Sequence, residues 1–143
     1  MNSIETAASR FAAGFNCSQA IFSAYAARFG LDENTALKIA AGFGGGMGRM
    51  AETCGAVTGA LMVLGLRYGG TAPDRQAKEL VYQRVRTFAD RFRACHGSLL
   101  CRDLLGCDLG TAAGQETARQ NNLVAATCPK FVRDAAESLE EML

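Results

Sequence analysis

The residues of this chain best suited to chemistry are sulfurs. Its 143 residues include six cysteines, Cys17, Cys54, Cys95, Cys101, Cys107 and Cys128, and a single histidine, His96. Only a thiolate attacks a disulfide or binds a metal, and an ordinary cysteine keeps its proton at neutral pH. What matters is which of the six lie where negative charge is stabilised. Cys17 follows the cap residue Asn16, and Cys54 falls in the first turn of a helix behind a glycine-rich loop. Cys101 stands three residues past Ser98, read as a cap, and Cys128 follows Thr127, read as another. Each of these four is expected in the first turn of its own helix. There, unpaired N–H groups and the positive end of the helix dipole lower a thiol pKa by roughly one to several units. Cys95 at a helix C-terminus and Cys107 after a helix-ending glycine lack that help.

Several chemistries drop out at once. No two cysteines have C-x-x-C spacing and no C-x-x-C-H occurs, so no zinc knuckle, thioredoxin-like pair or covalent haem c is expected. Cys95 and His96 are chain neighbours whose side chains do not face each other, so they form no dyad. No carboxylate pair or hydrolase nucleophile stands out. Each cysteine taken alone also reads as a small buried hydrophobe, because free cysteine is common in protein interiors.

The elements that must position these sulfurs read as helices separated by glycine joints. Helices are expected over 3–13, ended by Gly14; from Asn16 to the stop at Gly30; and from Asp32–Glu33 to about residue 41. Residues 42–48 hold five glycines and read as a loop. An apolar central helix is expected over 52–68, with Gly55 and Gly59 one turn apart for close approach by another helix or a ligand. A long helix from Pro73 to about residue 95 offers Leu80, Val81, Val85, Phe88, Ala89 and Phe92 as its buried stripe. Shorter helices follow over 99–105 and 111–120, and a last one over 128–142. With no alternating strand pattern anywhere, the expectation is an all-α, single-domain multi-helix bundle spanning 1–143, its glycine-rich loop leading into a central apolar helix.

Composition agrees. Hydrophobic residues make up 49% of the chain and charged residues 20%, enough for a real core. Fifteen Lys and Arg against fourteen Asp and Glu leave a net charge of +1, which argues against nucleic acid as a partner. The most apolar stretch, 55–66, falls short of the ~20 residues of a membrane span, so no membrane insertion is expected. The start of the chain lacks signal-peptide character, and a cytoplasmic, thiol-reducing setting is expected.

Three motifs in order carry a family resemblance: Asn16-Cys17-Ser18-Gln19-Ala20, then the run from Gly42 to Arg49, then Cys54-Gly55-Ala56-Val57-Thr58-Gly59-Ala60. With Cys101 before Leu104-Leu105-Gly106, and Cys128-Pro129, they resemble the redox-active protein family labelled C_GCAxxG_C_C. The resemblance covers nearly the whole chain and implies that Cys17, Cys54, Cys101 and Cys128 are the working set. Cys95 and Cys107 depart from the family pattern. A similar four-cysteine region is associated with larger electron-transfer proteins that contain iron–sulfur clusters.

Two chemistries then stand side by side. In one, the four cysteines are redox thiols cycling between dithiol and disulfide, or passing electrons. In the other, they ligate an iron–sulfur cluster, with a four-cysteine zinc site ranked lower for want of closely spaced pairs. A non-redox structural or transporter-accessory protein is the third reading. Gly44, Gly45, Gly46 and Gly55 are expected to bring backbone N–H groups near the Cys54 sulfur or a bound cofactor, with Arg49 adding positive charge. The glycine run does not fit a nucleotide loop, so no nucleotide is expected. The expected partners are a redox protein and, for assembly, a second copy of the chain as a homodimer.

Overall fold

Short polar side chains set the first helices. In a computed structural model describing residues 1–143, Asn2 Oδ1 accepts from Glu5 N at 2.9 Å and opens α1 (Ser3–Ala12). Asn16 opens α2 (Cys17–Ala26) with a reciprocal capping box, accepting from Gln19 N at 2.9 Å while its own N–H donates to Gln19 Oε1 at 3.1 Å. Asp32 caps α3 (Glu33–Ala40) through Thr35 N. Next come α4 (Gly55–Tyr68), α5 (Arg75–His96), α6 (Cys101–Leu105), α7 (Ala112–Gln120) and α8 (Leu123–Met142). The molecule is all-α, as expected. Its one extended pairing is an isolated antiparallel bridge between Thr53 and Leu100. No helix is long and apolar enough to cross a membrane.

The core is built around the α2–α4 pair. Gly55 and Gly59 permit this contact: a Cβ on Gly55 would sit 2.9 Å from Ser18 N, and one on Gly59 would sit 2.9 Å from Ser18 O. With only hydrogen in those places the two backbones meet, and the starts of both helices lie together. α1 and α3 flank α2, α5 packs on α4, and α8 lies against α1 and α4. Tyr25, fully buried, locks α2 to α8 by donating to Ala136 O at 2.9 Å. Arg28 pairs with Glu140 at 2.6 Å and Arg133 with Glu5 at 2.9 Å around the same seam.

The structure corrects several boundaries. The central helix begins at Gly55, not at residue 52, so Cys54 is its cap rather than part of its first turn. Ser98 is no helix cap: its Oγ accepts from Leu100 N, and α6 starts at Cys101 behind Leu100. The last helix starts at Leu123, five residues before Cys128, and continues through Pro129. Thr127 therefore caps nothing, and Cys128 sits in the second turn, away from the positive helix tip. On α5 only Phe88 and Phe92 of the expected stripe are buried; Leu80 is exposed, because the first half of the helix projects beyond its neighbours.

The glycine-rich run is not a featureless loop. A 3-10 turn over Ala41–Phe43 leads into five consecutive residues, Gly45 to Arg49, with φ between 62 and 72°. That is a left-handed helical turn, pinned by Ala51 N to Gly45 O at 3.2 Å and Glu52 N to Gly46 O at 3.0 Å. Met47 and Arg49 adopt it despite their Cβ atoms, at a cost of roughly 1–2 kcal/mol each.

Candidate functional site

Cys17 is the first residue of α2, and the Asn16 cap that opens the helix also fixes its place. Asn16 Nδ2 donates to Ala41 O at 3.1 Å, tying the start of α2 to the turn before the left-handed segment. Gly44 packs directly on the Asn16 side chain, where a Cβ would come within 2.7 Å. Cys54 is held from its other side. Its N–H donates to Leu99 O at 2.8 Å, and its carbonyl accepts from Val57 N and Thr58 N, starting α4. Along the same bridge Cys101 N donates to Glu52 O at 2.6 Å, so Cys54 and Cys101 arrive on paired segments. Gly46 makes this possible. Its φ is +72°, and a Cβ there would meet Glu52 N at 2.6 Å and Cys101 Cβ at 2.8 Å.

Cys17, Cys54, Cys101 and Cys128 all line one cavity of about 400 Å³. Cys54, Cys101 and Cys128 are only 5, 7 and 8% exposed, while Cys17 is half-buried. The other walls come mainly from Phe11, Phe15, Leu104, Leu105, Leu109 and Phe131, with no acidic, basic or histidine side chain among the lining residues. Gly45, Gly46 and Gly55 also line the cavity, whereas Gly44 lies behind the wall. Arg49 is exposed on the far side of the left-handed turn and brings no charge to Cys54. Cys95 is exposed on α5, and Cys107, half-buried, is not a lining residue. His96 is packed between Phe92 and Phe131, its Nε2 3.0 Å from Asp134 Oδ2 but without a well-directed hydrogen bond, and it too lies outside the cavity.

The sulfurs are not equivalent. A hydrogen bond from the Cys17 thiol holds the Cys54 pKa below that of an ordinary cysteine; burial opposes this, and the N–H groups of Ala56 and Val57 at the start of α4 assist it. Cys17 responds in the opposite direction. Hydrogen bonding to Cys128 and Cys54, together with burial, keeps its proton on well above the usual range. Burial, reinforced by the neighbouring Cys54 and Cys128 sulfurs, pushes the Cys101 thiol up to about 12. The cavity thus contains one sulfur that ionises more readily than an ordinary cysteine, one adjoining proton donor and a thiol that stays neutral. All six cysteines are free.

The donor set can be tested against a metal. No three Cys, His, Asp or Glu side chains are grouped to hold one ion. As arranged, the side chains do not fit a single four-coordinate ion such as zinc.

Sequence reasoning missed the bridge that aligns Cys54 with Cys101 and the left-handed turn behind it. The only local signal was glycine density, which marks conformational freedom without saying which conformation results. A family model described as "Putative redox-active protein (C_GCAxxG_C_C)" matches residues 15–142 of the chain. No curated protein and no solved structure matches it.

Proposed function

The chain belongs to the C_GCAxxG_C_C family, and we propose that it works by dithiol–disulfide exchange, with Cys54 attacking and Cys17 resolving. The observation that carries this reading is the pairing at the two helix starts. Cys54 is the residue at which α4 begins, and the hydrogen bond from Cys17 favours its ionised form relative to an ordinary cysteine.

The steps follow from that arrangement. The Cys54 thiolate attacks one sulfur of a substrate disulfide, forming a mixed disulfide and expelling the other sulfur as a thiolate. Bond formation removes the Cys54 charge, which together with Cys128 and burial had held the proton on Cys17. Cys17 then loses that proton, attacks Cys54 Sγ and releases the second substrate sulfur. Two electrons pass from the protein dithiol to the substrate, and the two substrate sulfurs leave as thiols, one taking the Cys17 proton and the other a proton from solvent. Cys128 beside Cys17 is a second resolving group, while Cys101 stays protonated and confines attack to Cys54.

Mapping disulfides by mass spectrometry after mild oxidation tests this. A Cys17–Cys54 link is expected, lost in Cys54→Ser and retained in Cys107→Ser. A link dominated by Cys95 or Cys107, or equal loss in the two variants, contradicts it, as does a brown, iron-containing protein from anaerobic purification.

A further inference from the structure

The cavity also restricts what the thiols can meet, and this step rests on the dithiol reading above. We propose that the exchange partner is a small, uncharged organic disulfide with an apolar body, rather than a protein disulfide or a charged one such as glutathione disulfide. Three observations converge on it. The attacking sulfur belongs to a residue 5% exposed, so a disulfide fixed in a folded protein surface cannot bring its sulfurs in line with it. The space above the sulfurs is about 400 Å³, at the small end of ligand pockets, which run from about 300 to 1,000 Å³. Its walls are largely aromatic and aliphatic, and no charged side chain is present to pair with a carboxylate or ammonium. An ionic group brought there would lose its hydration and find no counterion. At the exposed rim, Phe15 and Val124 are 37 and 41% exposed and stand beside the uncharged amide of Asn122.

The reaction balances as written above, one substrate disulfide being reduced to two thiols as the Cys17–Cys54 bond forms. The test uses the reduced full chain and disulfides of similar size and different charge: diethyl disulfide and bis(2-hydroxyethyl) disulfide as neutral probes, cystamine as a dication and 3,3′-dithiodipropionate as a dianion. Loss of alkylatable Cys54 is timed, and each rate is divided by that of the same probe with N-acetylcysteine. The neutral probes should lead both charged ones by about tenfold or more, the cost of one unpaired charge entering the cavity. Equal or faster reaction of either charged probe, or of glutathione disulfide, overturns the proposal. Val124→Asp should raise the cystamine rate relative to diethyl disulfide; an unchanged ratio also counts against the cavity as the place of binding. Diamide separates the two readings. If diamide closes the Cys17–Cys54 bond and the neutral probes show no advantage, only the substrate class fails. If diamide does not link these residues, the dithiol reading itself fails.

Discussion

At the scale of single residues, Cys54 and Cys17 have ordinary side chains placed in unlike surroundings. Cys54 receives a hydrogen bond from Cys17 and faces the N–H groups of Ala56 and Val57, and its pKa is lowered despite burial. The sign of the consequence is definite. A thiol with a lowered pKa is more ionised at neutral pH than a free cysteine, so alkylation of Cys54 should reach half its maximal rate at a lower pH than alkylation of a cysteine-containing peptide. Replacing Cys17 by Ala removes the hydrogen bond that does most to lower the Cys54 pKa and should move that midpoint upward; an unmoved midpoint would mean that the α4 N–H groups act alone. Cys101, pushed up to about 12, should stay unlabelled throughout the same range. The position of Cys17, Cys54 and Cys101 at helix starts is legible in the chain, since each does begin or cap a helix. For Cys128 the helix-start argument does not hold. Thr127 followed by Cys128 and Pro129 has the look of a cap and first turn, because threonine is a favoured cap and proline is tolerated in the first turn of a helix. The helix instead begins at Leu123 and absorbs the proline, which forgoes one backbone hydrogen bond. Cys128 reaches the cavity by side-chain direction and tertiary packing, which local sequence does not encode.

At the scale of elements, the early caps were legible, those expected at Ser98 and Thr127 were not, and neither were the joints. Asn16, Asp32 and Thr111 cap where their chemistry says they should, and Gly30 and Gly97 end helices in left-handed conformations. The turn at Gly45–Arg49 was hidden because Met47 and Arg49 are poor candidates for positive φ. They adopt it because the bridge of 52–54 with 99–101 and the Glu52 N to Gly46 O bond hold the segment. The α2–α4 contact has a sharper signature in Gly55 and Gly59, spaced one turn apart. A methyl at Gly59 would press on Ser18 O at 2.9 Å and Ile21 Cβ at 3.1 Å, neither of which is the free end of a flexible chain. Gly59→Ala should therefore cost about 1–3 kcal/mol in urea unfolding and slow closure of the Cys17–Cys54 bond as the helix starts separate. Loss of stability without slower closure would detach the helix contact from the chemistry.

At the scale of the whole molecule, α8 and the Tyr25 anchor close the bundle over a cavity whose reactive sulfurs come from distant stretches of chain. A fold that holds Cys17 against Cys54 favours their bond, and by reciprocity the bond must stabilise the fold to the same degree. Closing a loop of roughly forty residues removes enough unfolded-state freedom to add about 4 kcal/mol where native geometry accepts the link without strain. The most direct measurement is the unfolding free energy of the oxidised protein against the fully reduced one, by denaturant titration of samples whose Cys17–Cys54 link has been verified. The oxidised form should be more stable by close to that amount. An oxidised form no more stable than the reduced one, or less stable, would mean that the native fold does not bring these two sulfurs into bonding position.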